Sequence, residues 1–158
     1  MPEILSLGAR GGGWVALQFA LIVAIVAALL IGPPWPEPAR TAFQLVGAAL
    51  AIGGVVLAVV SSRLLGAAFT MFPRPAARGA LVERGPYRFV RHPVYAGGLL
   101  VFVGSALAHS PVALVPTLVL AVVWGLKARL EERYLGFVYP GYRAYAERTR
   151  YRIVPFVY

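Results

Sequence analysis

Four apolar stretches divide the chain, and each predicts a helix in a membrane. Residues 14–31 and 42–60 are long, whereas residues 94–108 and 112–126 are shorter and are separated by a His-Ser-Pro turn at 109–111. A helix that crosses a bilayer needs about 20 apolar residues, so each of the last two must gain a polar turn at one end. The pattern therefore predicts an all-α, polytopic membrane protein with four transmembrane helices arranged as two hairpins.

The composition favours an exterior that faces lipid. Hydrophobic residues make up 59% of the 158-residue chain and charged residues 13%, whereas a soluble domain averages about 25% charged residues. Too few charges are present to cover a water-exposed surface, and the length fits one domain over residues 1–158. The chain has no cysteine, which excludes disulfides and thiolate metal sites, and we predict no metal site.

The net charge of +9 is concentrated in two segments that four crossings would place on the same side of the membrane. Residues 61–93 carry six arginines against one glutamate, and residues 127–158 carry seven basic residues against three glutamates. The positive-inside rule makes that side cytoplasmic, together with both termini and a helical C-terminal tail. Basic residues there also suit anionic headgroups, so membrane lipids are expected partners and nucleic acid is not.

Two polar clusters fall where the last two apolar stretches meet the cytoplasmic side. The sequence RGPYRFVRHPVYAGG at 84–98 leads into the third stretch, and KARLEERYL at 127–135 follows the fourth. Pro93 suits the first position of a helix, where its missing N–H costs nothing. A hairpin brings both clusters together, and ionisable residues at membrane depth are costly and usually functional. Taken singly, the same residues also fit interfacial anchors, helical ion pairs and an aromatic belt.

Together, the clusters resemble the isoprenylcysteine carboxyl methyltransferase and phospholipid methyltransferase group of integral membrane enzymes. The resemblance covers more than half of the chain and is carried by four segments, FPRP at 72–75, LVERGPYRFVRHPVYAGGLL at 81–100, EERYL at 131–135 and YPGYRAY at 139–145. It divides the domain into an N-terminal helical hairpin at 1–63 and a cofactor-binding core with its tail at 64–158. The FPRP segment is similar to bacterial members, so a bacterial inner membrane is the expected location.

The resemblance implies a methyltransferase that uses S-adenosylmethionine, with its cofactor pocket at the border between cytosol and membrane. It assigns cofactor binding to the His-Pro-x-Tyr element, the L-V and G-x-Y positions before it and the glutamate pair, here Leu81, Val82, Gly85, Tyr87, His92, Pro93, Tyr95, Glu131 and Glu132. In carboxyl-methylating members a basic residue four positions before the first glutamate, usually arginine, handles the substrate. Lys127 has that position here, which keeps the charge but loses the bidentate fork of arginine and counts against an isoprenylcysteine carboxylate.

The residue types suit this cofactor chemically. The carboxylates of Glu131 and Glu132 match its ammonium group or ribose hydroxyls, and tyrosine rings match its adenine or its sulfonium by stacking and cation–π attraction. The N-terminus of the third helix, together with Arg91, favours the cofactor carboxylate. Arg91 and, by the resemblance, Lys127 are the candidate catalytic residues. Methyl transfer is an in-line displacement between two held reactants, and positioning can supply most of its acceleration without a metal or a covalent nucleophile.

The sequence leaves the methyl acceptor and two other classes of protein open. A prenylated cysteine, an amine headgroup, a small thiol and a quinone-like lipid all fit a lipophilic acceptor that enters from the bilayer. The ending YRIVPFVY at 151–158 is similar to that of membrane sterol reductases, which use NADPH. A non-catalytic membrane protein could also keep this architecture. Binding of S-adenosylmethionine or NADPH distinguishes these classes.

Overall fold

A computed structural model describes residues 11–74 and 80–155, and the α-helices of that part confirm the predicted all-α class. In chain order they are α1 (Gly12–Ile31), α2 (Arg40–Leu65), α3 (Pro93–His109), α4 (Leu114–Val138) and α5 (Tyr142–Arg148). One isolated bridge, between Val90 and Tyr151, pairs backbone segments outside these helices. The N-terminal stretch, the end of the 72–79 loop and the last three residues of the reductase-like ending lie outside the described residues.

Three of the helices are long and apolar enough to cross a membrane, namely α1, α2 and α4. Helix α3 has 17 residues and extends about 26 Å at a rise of roughly 1.5 Å per residue. That is shorter than the apolar thickness of a bilayer, about 30 Å. The chain therefore has three to four helices that could span a membrane, and the fourth crossing stays a prediction.

The helix boundaries follow signals in the sequence. Pro93 is the first residue of α3, and His92 precedes it. Helix α4 runs without a break from its apolar half through the polar sequence KARLEERYL to Val138. The proline-rich segment after Gly32 separates α1 from α2. Local sequence chemistry therefore decides where the helices begin and end.

The helices pack differently from the two predicted hairpins. Helix α2 makes its extensive contact with α3, and α1 packs on α4 rather than along α2. A methyl group added to Gly54 would lie 2.6 Å from the carbonyl oxygen of Gly97, and one added to Gly97 would lie 2.6 Å from the amide nitrogen of Ala58. Small residues allow such close approach of backbones in a membrane, so glycine positions determine which helices pair.

The two short loops lie at one end of the bundle, opposite the arginine-rich end. The indole of Trp35, in the loop between α1 and α2, donates a hydrogen bond of 3.1 Å to the carbonyl of Ala106 near the end of α3. The α-carbon of Gly32 faces the Ser110 side chain in the second loop. The end of α2, the start of α3 and the C-terminal half of α4 therefore meet at the other end, where the polar clusters lie.

Candidate functional site

Two glutamates on α4 and a histidine at the start of α3 form the centre of the site. His92 lies between them, with Nδ1 at 3.5 Å from Oε2 of Glu131 and Nε2 at 3.3 Å from Oε1 of Glu132. All three side chains are largely buried. The two sequence clusters thus converge, as the sequence predicts, although they lie about 40 residues apart along the chain.

Glu132 forms ion pairs with cationic side chains of the protein itself. It accepts hydrogen bonds from Nε of Arg91 at 2.7 Å and from Nε of Arg152 at 2.8 Å. Charge-assisted bonds of this kind are about twice as strong as neutral ones. Glu132 therefore joins α4 to the start of α3 and to the C-terminal tail, which we define as residues 139–155.

Arg91 also binds the end of α5. Its Nη1 donates to the carbonyl oxygens of Ala146, Thr149 and Arg150, at 3.3, 2.7 and 3.0 Å. The last carbonyls of a helix have no partner within the helix, and a guanidinium there is favourable. The predicted catalytic role of Arg91 is untested, but the geometry shows that it fastens the tail.

The tail is held by backbone pairing as well. The amides of Arg91 and His92 donate to the carbonyl oxygens of Tyr151 and Arg152, at 2.9 and 2.7 Å. Side-chain and backbone contacts of residues 91–92 thus act on the same tail segment. This pairing places α5 against the polar end of the bundle.

A cavity opens beside Glu131 and is enclosed by helix ends, the tail and a segment that we call the strap, residues 69–74. Its empty space is about 830 Å³, a figure that includes open solvent at the mouth. The walls are mainly aliphatic and aromatic, and the lining residues are Leu65, Ala68, Phe69, Thr70, Phe72, Pro73, Ala80, Leu81, Val82, Tyr87, Arg91, His92, Val94, Tyr95, Glu131, Leu135, Tyr139, Tyr142 and Tyr145.

Glu131 is the carboxylate that faces this cavity. The hydroxyl of Tyr95 donates a hydrogen bond to its Oε1, and His92 lies beside its other oxygen. Among the described residues, Glu131 has no arginine or lysine nitrogen within 4 Å. Glu131 thus has only His92 as a basic neighbour within 4 Å among the described residues, whereas Glu132 is also paired with two arginines.

Three tyrosines at the cavity wall differ in their hydrogen bonding. Tyr145 donates to the carbonyl of Tyr87 at 2.8 Å, and Tyr87 donates to the carbonyl of Ser61 at 3.2 Å. The hydroxyl of Tyr142 is buried and finds no hydrogen-bond partner in the described part of the chain. Burial raises the pKa of all three phenols above the ordinary value, so each stays protonated at neutral pH. Tyr142 lines the cavity, and its enclosed hydroxyl has no hydrogen-bond partner among the described residues.

The structure brings seven of the predicted site residues to the cavity wall, namely Leu81, Val82, Tyr87, Arg91, His92, Tyr95 and Glu131. Gly85 is outside the wall and makes a turn with a φ of 62°, where an added methyl group would lie 2.7 Å from Leu64. Pro93 is a buried first residue of α3. Glu132 binds the two arginines described above. The roles assigned by resemblance stay predictions.

Lys127 also lies outside the cavity wall. Its ammonium donates to Oε1 of Gln18 on α1 at 3.0 Å and to the carbonyl of Met71 in the strap at 2.6 Å. The sequence suggests an ion pair between Lys127 and Glu131, four residues on, but the ammonium is directed to these two neutral oxygens. Its nearest tyrosine ring is that of Tyr95, with the centroid at 5.4 Å.

Sequence reasoning missed three parts of the site. The strap overlaps the FPRP segment at 72–75, but the resemblance assigns that segment no site residue, and its prolines indicate only irregular backbone. Arg152 is one of many basic residues in the tail, so nothing in the sequence singles it out as a partner of Glu132. The tyrosines of α5 fit an aromatic belt equally well. Their spacing, Tyr142 and Tyr145, is the one signal that could have placed both on a single helix face.

Comparison with known proteins gives two matches. A family model described as phospholipid methyltransferase matches residues 43–141, more than half of the chain. The cobalt-zinc-cadmium resistance protein CzcN of Cupriavidus metallidurans is 35% identical over 71 residues, which cover 44% of this chain and 33% of that protein. The matched part of the chain thus spans about a third of the length of that relative. The family match begins within α2 and includes the start of α3 and both glutamates.

Proposed function

The chain belongs to the phospholipid methyltransferase family, and on this premise we propose that it transfers a methyl group from S-adenosylmethionine to a lipophilic acceptor at the surface of a membrane. The observation that carries the proposal is the cavity at the polar end of the apolar bundle, whose aromatic wall holds one carboxylate, Glu131, with no arginine or lysine partner among the described residues. Family membership makes S-adenosylmethionine the expected donor. The class of acceptor is left to experiment.

The residues at the cavity fit this donor. Glu131 supplies a carboxylate for an ammonium or sulfonium. The enclosed and unpartnered hydroxyl of Tyr142 would donate to a ligand oxygen or ring nitrogen after a turn of its side chain. The aromatic and aliphatic walls suit a flat base. A buried hydroxyl without a partner is uncommon in native proteins, and a bound ligand would satisfy it. When bound, S-adenosylmethionine supplies a methyl group on a positively charged sulfur that leaves as a neutral thioether.

The chain contributes position and charge to this reaction. Tyr95 holds the Glu131 carboxylate in place by its hydrogen bond, and the fastened tail holds the tyrosines of α5 against the cavity. Fixing two reactants in line replaces an encounter in solution, and effective molarities of well-oriented groups reach about 10⁵ M or more. The apolar walls exclude water, which strengthens the attraction between Glu131 and a cationic ligand.

Charge supports an orientation with the cavity at the cytoplasmic face. The arginine-rich segments lie at the cavity end of the bundle, and positive residues are retained on the cytoplasmic side. In this arrangement the water-soluble donor arrives from the cytosol and the acceptor arrives from the bilayer. The apolar helices support integral membrane location, and the bacterial inner membrane and the cytoplasmic termini are part of the proposal.

Calorimetry on the purified protein in detergent tests the proposal with three ligands, S-adenosylmethionine, S-adenosylhomocysteine and NADPH. We expect both sulfur compounds to bind and NADPH not to bind. Binding of NADPH alone would instead support a reductase, and binding of none would support a protein without this activity. Transfer of radiolabelled methyl groups to a total lipid extract of the source organism, followed by identification of the product, then identifies the acceptor.

Replacement of Tyr142 by phenylalanine tests the free hydroxyl. We expect Tyr142→Phe to weaken S-adenosylhomocysteine binding about three- to tenfold, the value of one neutral hydrogen bond. It should leave the thermal midpoint unchanged, because no bond within the protein is lost. Tyr145→Phe is the matched control: it removes a hydrogen bond to Tyr87 and should lower stability by about 1 kcal/mol. Equal effects of both variants on binding would contradict this assignment.

A further inference from the structure

We propose that Gln18, on α1, is a positioning residue that fixes the strap wall of the cavity through Lys127. The inference rests on the proposed function for the identity of the ligand, but the link between Gln18 and the strap can be tested without it. Helix α1 lies outside residues 43–141 that the family model matches. The family match therefore assigns α1 no part in the site.

The first step is the contact between Gln18 and α4. Gln18 is 7% exposed, and its Oε1 accepts hydrogen bonds from the indole of Trp124 at 2.9 Å and from the ammonium of Lys127 at 3.0 Å. A carbonyl oxygen has two lone pairs, so this one oxygen is fully used. Gln18 thus makes a polar contact between α1 and α4, beside apolar residues of the same interface such as Ile25 and Leu120.

The second step is the contact between Lys127 and the strap. Lys127 is 1% exposed, and its ammonium also donates to the carbonyl of Met71 at 2.6 Å. No carboxylate oxygen lies within 4 Å of this ammonium among residues 11–74 and 80–155. A buried charge needs its hydrogen-bond acceptors. Gln18 and Met71 therefore both stabilise the ammonium, and the ammonium in turn links Gln18 to the strap.

The third step connects the strap to the cavity. Met71 lies in the middle of the strap, and Phe69, Phe72 and Pro73 on either side of it line the cavity. A further fastening is visible at the end of the strap, where the guanidinium of Arg74 lies 5.4 Å from the ring centroid of Tyr134. Loss of the hydrogen bond from Lys127 would therefore leave the middle of the strap, around Met71, more mobile.

Gln18 sets the position of the Lys127 ammonium and, through it, of Met71. Without the amide oxygen, the ammonium would keep one neutral acceptor and would move toward water or another partner. The wall would then be less ordered before a ligand binds, and ordering it on binding would reduce affinity. The affinity of the cavity for its ligand would fall although none of its lining residues had changed.

A spin label on the strap measures this link without any ligand. The natural chain has no cysteine, and the side chain of Met71 is 46% exposed, so Met71→Cys accepts a nitroxide while the backbone carbonyl is retained. In this background we compare Gln18→Leu and Gln18→Glu with Gln44→Leu, a matched control at an exposed glutamine of α2. We expect Gln18→Leu to increase label mobility, and Gln18→Glu and Gln44→Leu to keep the original spectrum.

Ligand affinity provides the second readout on the same variants without the label. We expect Gln18→Leu to raise the Kd of S-adenosylhomocysteine about tenfold, consistent with loss of one hydrogen bond to a charged group. Gln18→Glu keeps an acceptor for Lys127 and Trp124. Its Kd for S-adenosylhomocysteine should therefore stay within about twofold of that of the original protein. Should Gln18→Leu fail to insert in the membrane, Lys127→Met breaks the same contact chain and is measured in the same way.

The outcomes separate the inference from the proposed function. A purely structural Gln18 would lower the thermal midpoint of Gln18→Leu but leave label mobility and Kd unchanged in the folded protein, which would overturn the inference. Absence of S-adenosylhomocysteine binding in the unmodified protein, together with a mobile strap in Gln18→Leu, would overturn the proposed function. That result would still support the link from Gln18 to the strap, with the cavity reassigned to another ligand.

Discussion

At the residue scale, two adjacent glutamates on α4 have different surroundings. Glu132 accepts bonds from Arg91 and Arg152, and Glu131 faces the cavity and accepts one from Tyr95. Adjacent residues on a helix point about 100° apart, so the packing of the tail against one of them leaves the other to the cavity. The pair assigned to the cofactor by resemblance thus divides into one cavity residue and one fastening residue.

This division predicts that the same substitution affects ligand binding at one glutamate and stability at the other. We expect Glu131→Gln to weaken S-adenosylmethionine binding by about tenfold to hundredfold, because a charged partner of the ligand is lost. Its thermal midpoint should change little, because the amide oxygen still accepts from Tyr95. Calorimetry and thermal unfolding in detergent measure the two quantities.

The matched variant is Glu132→Gln, which leaves two arginines without their anion. We expect it to lower the free energy of unfolding by about 1–3 kcal/mol and to affect binding less than Glu131→Gln does. Similar affinity losses with unchanged stability in both variants would show that both carboxylates contact the ligand.

The sequence predicted much at this scale, but not the individual roles. His92, Tyr95 and Glu131 are assigned to the cofactor by the resemblance, and the structure does bring them together at the cavity. Lys127 and Arg91 are the predicted catalytic residues, yet in the described part of the chain both donate hydrogen bonds to protein oxygens. Which acceptor a long cationic side chain selects depends on residues such as Gln18 and Thr149 that are remote in sequence.

At the element scale, the extensive interface is between α2 and α3, and glycine residues allow the two backbones to approach closely. Adjacent glycines on α2 have different surroundings: an added methyl group on Gly54 would meet backbone atoms of α3, whereas one on Gly53 would meet nothing within 4 Å. Apolar periodicity predicts the helices but not this pairing, since lipid-facing and protein-facing sides of a membrane helix are both apolar.

These two glycines provide a paired test of the interface. We expect Gly54→Ala to lower the free energy of unfolding by about 1–3 kcal/mol, because helix α3 must move away. Gly53→Ala should leave stability unchanged or raise it by up to about 1 kcal/mol, the difference in helix propensity. Thermal unfolding of the two variants in the same detergent measures the contrast, and equal midpoints would contradict the close approach.

At the scale of the whole molecule, the bundle has a charged end that holds the cavity and an opposite end with two short loops. The charge asymmetry and the helix lengths are both visible in the sequence, and they predict the orientation in the membrane. The short α3 is the exception. It begins at the cavity, so its length is set by the site as well as by the bilayer.

Orientation can be tested with single thiols, because the natural chain has no cysteine. Glu37→Cys lies in the loop between α1 and α2, and Arg84→Cys lies near the cavity end; both positions are exposed. We expect a membrane-impermeant maleimide to label position 37 in cells with a permeabilised outer membrane and to label position 84 only after lysis. The reverse pattern would place the cavity on the outer side.

The sequence by itself determined the helices, the segregation of charge and the family, because apolar length, proline positions and motif spacing are local properties of the chain. The tertiary structure alone decided which helices pair, which glutamate faces the cavity, and that α1 reaches the strap through Gln18 and Lys127. These depend on close approach of backbones and on hydrogen bonds between residues up to about a hundred positions apart. Such contacts have no signature along the chain, because many alternative partners satisfy the same local chemistry.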